Sequence, residues 1–363
     1  MARCRAPVFV GANQPLELQE FELPKLQPGE MLVRMRIAGI CGTDVHMWRN
    51  PKTLSPMIFG HENVGEIVEL AGGRKLDAVG QAIQEGDLVV FGGMAPCGVC
   101  HTCTIAGEPT VCENSVRYGT SPILSPPYLR GGYAEYVHLV GAAGIVRIPD
   151  EASIDRALLA VIGNRTLVHG FEKIGGLQAG DTVVVQGSGP IGLAALLQSR
   201  LSGANRILVI GAPKARLDLA RELGASQVIS IEEVREPEER IRVVREATED
   251  HGADVVIEAS GGSTAVEEGI RMTRIGGKYL IIGQATDYGA RAINPYHLTR
   301  RQLRVYGSWA ALPQHLFRAM QNLQGLELPM DRLITHRFPV EEATKGLETV
   351  DRLESIIGVI EHR

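Results

Sequence analysis

Long apolar runs, a strong charge of either sign and cysteine are all scarce in this chain of 363 residues. No apolar run approaches the roughly 18 residues that a membrane-spanning helix needs. The formal net charge of -5 gives no electrostatic basis for binding nucleic acid or an acidic membrane. The N-terminal stretch MARCRAPVFVGANQP has too few apolar residues for a signal peptide. The sequence therefore predicts a cytoplasmic protein without nucleic-acid or membrane partners.

Four of the six cysteines lie in one short stretch, APCGVCHTCTIAGEPTVC. Because persistent disulfides are rare in the cytoplasm, a CxxCxxC run followed by a fourth cysteine favours a metal site. Four thiolates fill the tetrahedral coordination of zinc and leave no position for substrate, so such a zinc is structural. The predicted ligands are Cys97, Cys100, Cys103 and Cys112, with His101 as a bystander. Reduced surface thiols and an iron–sulfur cluster are the alternatives.

The length of the chain and a change of pattern near residue 152 predict two domains. Residues 1–152 contain short strand-like runs such as EMLVRMRIAGI and GDLVVFGG between glycine- and proline-rich turns, which indicate antiparallel strands. Residues 153–298 alternate helices with apolar strands such as DTVVVQG, RILVIG and ADVVIEASG. Strands buried on both faces and separated by helices indicate a doubly wound parallel sheet, so the fold class is α/β. Residues 299–363 begin with a last strand, LRVYGSW.

The stretch VVVQGSGPIGLAAL carries Gly187, Gly189 and Gly192 in the pattern GxGxxG, between a predicted strand and a predicted helix. The three glycines would permit a tight turn, a close approach of the backbone to a pyrophosphate, and packing of helix on strand. Pro190 and Ile191 open the helix, whose N-terminus favours an anion. The motif predicts a dinucleotide site; glycines that serve packing alone are the alternative.

Two further motifs hold reactive side chains. Cys41 lies in GICGTDVHMW, and His61 and Glu62 follow 20 residues later in GHENVGEI. A lone cysteine is usually a small core residue, and a lone histidine is usually a hydrogen-bonded polar one. Beside a dinucleotide motif and a separate thiolate loop, however, these residues are better interpreted as a reactive site.

The motifs GICGTD, GHE, the four-cysteine loop, GSGPIG and IEASG follow one another in an order that resembles a zinc-dependent member of the medium-chain dehydrogenase/reductase superfamily. The resemblance spans nearly the whole chain. It implies a GroES-like β-barrel catalytic domain over residues 1–152, a Rossmann domain over 153–298, and a segment over 299–363 that adds the last Rossmann strand and returns to the first domain. It also implies a second, catalytic zinc, an NAD(P) cofactor, and a homodimer or homotetramer.

The resemblance also implies roles for individual residues. Cys41 and His61 match the ligands of the catalytic zinc, and Glu62 matches an acidic neighbour that can approach or bind the metal. Asp44 matches the carboxylate that orients the zinc-binding histidine.

Two more residues match a proton path. Thr43 matches the hydroxyl that hydrogen-bonds the substrate oxygen, and His46 matches the outer end of the relay.

The sequence departs from the family pattern at both predicted zinc sites. Eight residues separate Cys103 from Cys112, one more than is usual, and we expect the loop to absorb the addition. The third catalytic ligand is usually cysteine or glutamate, but AVIGNRTLVHG aligns Asn164 there. Since asparagine is a poor zinc ligand, Glu62 or water is expected to complete the coordination. Arg165, which follows, would pair with a carboxylate or meet an anionic substrate group, and the first is favoured.

A third departure concerns the cofactor. The carboxylate that selects NAD usually ends the second strand, about 20 residues past the glycines. Here that position is Gly211, 24 residues after Gly187. Lys214 and Arg216 stand just beyond it and could pair with a 2′-phosphate; the alternative is that both are solvated helix charges. The sequence predicts use of NAD(H) or NADP(H), with a slight preference for NADP(H).

The predicted function is hydride transfer between NAD(P) and a small-molecule alcohol or its ketone, with a secondary, cyclic or polyol alcohol as substrate. An amino-alcohol dehydrogenase resembling threonine dehydrogenase is the runner-up. A dinucleotide-binding zinc protein without catalytic activity is an alternative from another class, since Asn164 replaces a ligand. A nucleic-acid-binding zinc module gains no support from the acidic charge balance.

Overall fold

The computed structural model describes residues 3–287 and 289–362 and divides the chain into two compact units. One unit contains residues 1–165 and 311–363, and the other contains residues 166–310. The sequence-based boundaries at 152 and 298 lie earlier than these divisions. The first helix after residue 152 packs on strands of the first unit, and the strand after residue 298 belongs to the sheet of the second.

Strands predominate up to Arg147, and helices alternate with strands over much of the rest of the chain. The strands are β1 Arg3–Phe9, β2 Glu17–Glu22, β3 Met31–Ile40, β4 Met57–Ile58, β5 Glu62–Leu70, β6 Leu88–Gly92, β7 Met94–Ala95, β8 Val116–Arg117, β9 Tyr136–Leu139, β10 Ile145–Arg147, β11 Thr182–Gln186, β12 Arg206–Gly211, β13 Gln227–Ser230, β14 Ala253–Glu258, β15 Thr273–Ile281, β16 Arg304–Gly307, β17 Ile334–Pro339 and β18 Ile357–Glu361. The α-helices are α1 Gly42–Arg49, α2 His101–Thr104, α3 Ile154–Leu159, α4 Arg165–Lys173, α5 Pro190–Leu201, α6 Lys214–Glu222, α7 Pro237–Ala247, α8 Ala265–Met272, α9 Pro295–Arg300, α10 Pro313–Leu323, α11 Met330–Leu333 and α12 Ala343–Asp351. Within the described residues, every helix is too short or too polar to cross a bilayer.

The first unit is built mainly from antiparallel strands around one apolar core, with β17 and β18 as a parallel pair. Its main sheet has the order β10-β6-β5-β3-β18-β17, with β9 also paired to β3, and a smaller sheet has the order β2-β1-β4. Strand β18 pairs antiparallel with β3, so the C-terminal segment completes the sheet that the N-terminal segment began. The fully buried residues Phe9, Phe59 and Val33 lie in the core of this unit.

The pairing of β3 with β5 creates the position of the reactive residues. The two strands are antiparallel, and Ala38 faces Asn63. Continuing this register brings the end of β3 next to the start of β5. Cys41 lies between β3 and α1, and His61 directly precedes β5. Residues 20 positions apart in sequence therefore become neighbours because the chain reverses direction between the two strands.

The second unit contains the predicted parallel sheet. Its strand order is β13-β12-β11-β14-β15-β16, with parallel pairing throughout. The centre of β11 is apolar and buried on both faces, from Val183 to Val185. The order reverses between β11 and β14, which makes this edge a topological switch point at which doubly wound sheets bind ligands.

The segment around residue 160 departs from the expected helix. The sequence pattern predicts one helix through ASIDRALLAVIGNRTLVHGFEKIG, whereas the structure has α3, an irregular segment Ala160–Asn164, and α4. Ile162 has an extended ψ of 100° and Gly163 has a φ of 72°, so neither continues the helix. The interruption brings the Asn164 side chain back towards the end of α3, where its amide nitrogen donates to the Leu159 carbonyl at 2.8 Å.

Candidate active site

The four cysteines of the loop converge on one point. The Sγ atoms of Cys100 and Cys103 are 3.5 Å apart, those of Cys100 and Cys112 are 3.8 Å apart, and those of Cys97 and Cys112 are 3.6 Å apart. Thiolates around a tetrahedral zinc at about 2.3 Å are separated by about 3.8 Å, whereas a disulfide needs about 2.05 Å. The four sulfurs therefore fit a tetrahedral metal ion and do not form disulfides.

The protonation of the loop thiols agrees with a site made for a cation. Backbone N–H groups of Val99 and Cys100 lower the pKa of Cys97 to about 6. Burial, followed by the neighbouring sulfurs, raises the pKa of Cys103 to about 12. Four crowded sulfurs cannot all be thiolates without a compensating charge, and a divalent cation supplies that charge in place of protons.

A second cluster joins Cys41, His61 and Glu62. One potential ligand atom from each residue lies within 4.8 Å of those of the other two. The Glu62 carboxylate is placed by the strand register, since a Cβ added at Gly39 on the neighbouring strand would lie 2.7 Å from Glu62 Oε2. Sulfur, imidazole and carboxylate donors at this spacing could hold a metal ion, and three donors would leave a tetrahedral zinc room for one further ligand.

Burial governs the electrostatics of this cluster. It raises the pKa of Cys41, with the charge of Glu62 adding to the effect, and it raises the pKa of Glu62 against the opposing charges of His61 and Arg165. Burial lowers the pKa of His61, but the charges of Asp44 and Cys41 outweigh it and raise that pKa well above its ordinary value. Because anionic donors are costly in a buried place, a divalent cation fits the cluster.

Asp44 lies behind the second cluster and is completely buried. Its Oδ1 is 3.2 Å from His61 Nδ1, which leaves Nε2 of the imidazole for a metal. Its Oδ2 accepts the backbone N–H of Cys41 at 2.9 Å and the hydroxyl of Tyr133 at 3.2 Å. The sequence predicts the orienting role of Asp44, but it gives no indication of Tyr133, which lies 89 residues away.

The residues of the predicted proton path both lie on α1. Thr43 is in its first turn and is partly buried, and His46 is exposed three residues later on the same side of the helix. Although the residue is exposed, partial desolvation of its ring by the surrounding protein lowers the pKa of the His46 imidazole, and the nearby Asp351 carboxylate partly offsets the effect. A neutral, exposed imidazole at this place can take up a proton and release it to solvent.

Arg165 is buried beside the second cluster. Its Nε donates to the Val161 carbonyl at 3.1 Å, and a Cβ added at Gly92 would lie 1.8 Å from its Nη1. Burial lowers the pKa of Arg165, while the charges of Glu62 and Cys41 raise it. The guanidinium thus lies within the electrostatic influence of Glu62 and Cys41.

The dinucleotide motif forms the turn between β11 and α5. Gly187 has a φ of 121°, and its N–H donates to the Ile210 carbonyl at 2.7 Å. A Cβ added at Gly192 would lie 2.0 Å from the Gly187 carbonyl oxygen, so α5 packs directly on the turn. Pro190 is the first residue of the helix and has no N–H, and Ile191 follows it in the first turn. The free N–H groups of this turn suit a phosphate.

The structure gives a packing reason for the missing NAD-selecting acid. Gly211 ends β12, and a Cβ at this position would lie 2.3 Å from Ser188 Oγ and 2.6 Å from Ser188 Cβ. Ser188 itself donates to the Ala212 carbonyl at 2.9 Å, which ties the two loops together. A side chain at residue 211 therefore requires the glycine-rich turn to shift.

The two cations beyond β12 differ from each other. Lys214 is exposed and pairs with Asp218 at 2.6 Å, as expected for a solvated helix charge. Arg216 is only 8% exposed, so the same interpretation is wrong for this residue. Its Nη1 is the nearest atom, at 3.8 Å, to a Cβ added at Gly189, where the motif leaves room for a phosphate. Arg216 is thus the cation positioned at the dinucleotide turn.

Sequence reasoning also missed Glu258 at the end of β14. This side chain is completely buried, and its Oε1 accepts three hydrogen bonds, from Ser260 N at 2.8 Å, Ser260 Oγ at 2.8 Å and Gly261 N at 2.7 Å. The loop that it holds packs on the glycine-rich turn, since a Cβ at Gly187 would lie 2.7 Å from the Ala259 carbonyl oxygen. The motif IEASG was a signal for the family, although not for this function of the glutamate.

Comparison with known proteins agrees with both parts of the chain. The family of alcohol dehydrogenase GroES-like domains matches residues 27–150, and the zinc-binding dehydrogenase family matches residues 190–325. The 5-exo-hydroxycamphor dehydrogenase of Pseudomonas putida is 36% identical over 354 residues, which are 96% of each chain. An L-threonine 3-dehydrogenase of Bacillus licheniformis is 32% identical over 345 residues, covering 90% of this chain and 89% of that one.

A solved structure extends the likeness to the fold. An alcohol dehydrogenase from Thermotoga maritima superposes with a TM-score of 0.93 at 33% identity, over 100% of both chains. The prediction of a GroES-like domain joined to a Rossmann sheet is thereby confirmed. The chain belongs to the zinc-dependent alcohol dehydrogenases of the medium-chain dehydrogenase/reductase superfamily, and it is an oxidoreductase of that family.

Proposed function

We propose that this enzyme interconverts a cyclic secondary alcohol and its ketone, with Cys41, His61 and Glu62 holding the catalytic zinc. The observation that carries the proposal is the convergence of these three donors within 4.8 Å, with the buried Asp44 behind the histidine. Zinc, when bound, supplies a Lewis acid that makes an alcohol hydroxyl more acidic. A nicotinamide, when bound, supplies the acceptor for the hydride.

Two residues of α1 are proposed to carry the proton that leaves the substrate hydroxyl. The Thr43 hydroxyl is proposed to accept a hydrogen bond from the substrate hydroxyl. His46, which is exposed three residues later, is proposed to pass the proton to solvent. Asp44 keeps the His61 ring in place through the 3.2 Å contact with Nδ1. Positioning of this kind lowers the barrier because the reacting groups need not reorganise.

The substrate class rests on the relatives. The 5-exo-hydroxycamphor dehydrogenase is named for a cyclic secondary alcohol, and it matches this chain over 96% of its length. The threonine dehydrogenases keep an amino alcohol as the second candidate. A turnover panel with cyclic secondary alcohols, polyols and L-threonine decides between them. We expect kcat/KM to be highest for the cyclic alcohols; a maximum for L-threonine would overturn the assignment.

Two zinc ions per chain are proposed, one on the four-cysteine loop and one on the Cys41 cluster. The separation of the two donor sets supports this number. Metal analysis of the purified enzyme should give two zinc equivalents. A fully active enzyme with one equivalent or fewer would contradict it. A homodimer or homotetramer and a cytoplasmic location are also proposed, and light scattering in solution tests the first.

For the cofactor we propose that NADP(H) is accepted, with Arg216 as the partner of its phosphate. The burial of Arg216 beside Gly189 supports this role, whereas exposed Lys214 serves as a matched control. Arg216→Gln should lower kcat/KM for NADP about tenfold to a hundredfold, more than for NAD, because a charged hydrogen bond is lost. Lys214→Gln should change both values by less than about threefold. An equal loss for both cofactors in Arg216→Gln would assign the arginine to the shared pyrophosphate.

A further inference from the structure

Tyr133 lies against the segment that leads into His61. The Tyr133 N–H donates to the Phe59 carbonyl at 3.0 Å, and the Gly132 N–H donates to the Gly60 carbonyl at 2.9 Å. The ring is completely buried and meets Phe59 edge to face, with centroids 6.3 Å apart. Two backbone hydrogen bonds and a packed ring therefore fix the tyrosine relative to the histidine.

The Tyr133 hydroxyl donates to a carboxylate that has no access to solvent. Asp44 Oδ2 receives this hydroxyl at 3.2 Å and the Cys41 N–H at 2.9 Å, and Asp44 is 0% exposed. The other oxygen, Oδ1, lies 3.2 Å from His61 Nδ1. One carboxylate thus connects the backbone of one proposed ligand, the imidazole of another, and a tyrosine from a distant segment.

The two oxygens of the Asp44 carboxylate have different partners, and this restricts the orientation of the carboxylate. A carboxylate can rotate about its Cβ–Cγ bond, and two donors on Oδ2 restrict that rotation. With Oδ2 held, Oδ1 stays 3.2 Å from Nδ1 of the imidazole, which restricts the orientation of the ring. Removing the phenol hydroxyl takes away one of the two donors on Oδ2 and loosens this restraint.

We propose that Tyr133 is a positioning residue for the catalytic metal, which it supports through Asp44 and His61. The inference rests on the proposed zinc-binding role of Cys41 and His61, and it adds a residue that touches neither metal nor substrate. It requires that the hydroxyl, and not the ring, contributes to metal affinity.

The test compares Tyr133→Phe with Tyr118→Phe in the full-length enzyme. Tyr118 is an equally buried tyrosine whose hydroxyl accepts the Val140 N–H at 3.0 Å, whereas the Tyr133 hydroxyl donates to Asp44. The readout is the dissociation constant of each zinc, measured by competition with a chelator, together with the visible spectrum of the cobalt-substituted enzyme. The zinc at the Cys41 cluster is identified as the one that Cys41→Ser removes. We expect Tyr133→Phe to raise the dissociation constant of this zinc about tenfold and to shift the cobalt absorption bands. Tyr118→Phe should do neither.

A second comparison separates positioning from general loss of stability. If Tyr133 acts through Asp44, then Tyr133→Phe should have no further effect on zinc affinity in an Asp44→Asn background. Additive losses in that background would overturn the inference, as would equal zinc affinities for Tyr133→Phe and Tyr118→Phe. Retention of both zinc equivalents by Cys41→Ser would instead contradict the proposed metal role of Cys41, and this inference would fail with it.

Discussion

The four-cysteine cluster and the Cys41 cluster offer similar donor atoms but are assembled differently. The four cysteines all lie within residues 97–112, and three of them are partly exposed on their loop. Cys41 and His61 come from the ends of two paired strands, and Glu62 adds a buried carboxylate. The loop offers four thiols to one point, and a metal held by all four would have no open position for substrate. The Cys41 cluster has fewer protein donors and has neighbours such as the buried Asp44, which suits it to catalysis.

Cys41→Ser should have the largest effect on turnover and should leave the fold intact. We expect kcat to fall by at least about 10³-fold, because a metal that stabilises developing charge contributes several kcal/mol. Activity, zinc content and circular dichroism measure the outcome. Cys4→Ser is the control, since Cys4 is a buried thiol of the same unit whose pKa burial raises to about 12. Full activity of Cys41→Ser would remove the distinction between the clusters.

Cys100→Ser should show the reverse pattern, with a loss of stability before a loss of chemistry. Structural zinc binding is folding free energy, so the melting temperature should fall by about 10 °C or more. The exposed His101 in the same loop provides the control, and His101→Ala should leave melting temperature and zinc content unchanged. An unchanged melting temperature for Cys100→Ser would show that the loop does not depend on its metal.

Glu62→Gln should weaken the catalytic zinc by about tenfold to a hundredfold, because the cluster loses its anionic third donor. Zinc retention on dialysis and chelator competition measure the loss. Glu66→Gln on the same strand is the matched control, since Glu66 forms an exposed ion pair with Arg34 at 2.8 Å. Equal zinc affinities for the two variants would exclude Glu62 as a ligand.

Asn164→Ala should have the smallest effect on the metal. The Asn164 amide nitrogen is engaged with the Leu159 carbonyl, so we expect zinc affinity to change by less than about threefold. Stability should fall by about 1–2 kcal/mol, because the buried carbonyl loses its donor. Denaturant unfolding and zinc competition measure the two quantities. Loss of zinc from this variant, without loss from Glu62→Gln, would reverse the proposed ligand set.

The predicted elements were most accurate where the pattern is local. The strands of the parallel sheet, the helix after GSGPIG and the position of the last strand all follow from apolar runs and glycine turns. The prediction of one continuous helix after residue 152 was wrong. No periodic pattern in the sequence reveals that Ile162 and Gly163 leave the helical conformation. The boundaries between the two units lie later in the chain than the predicted residues 152 and 298. The unit to which a helix or strand belongs depends on the sheet with which it packs or pairs.

The same distinction between local sequence pattern and tertiary packing applies to the candidate site. The sequence identifies Glu62 as a candidate ligand because it follows His61. The position of its carboxylate next to Gly39, however, depends on the register between the two strands. Arg216 and Lys214 are equivalent in sequence, and only the packing of α6 buries one and exposes the other. Tyr133 could not be found from local sequence at all.

The sequence by itself determined the donor types, the four-cysteine loop and the glycine-rich turn, because the chemistry of each is contained in a few consecutive residues. Tertiary structure alone decided which distant groups share a buried volume: Tyr133 with Asp44, Glu62 with Cys41, and Arg216 with Gly189. Such pairs depend on strand pairing and helix packing, and burial then sets the pKa of each ionisable group through the desolvation of its charged form.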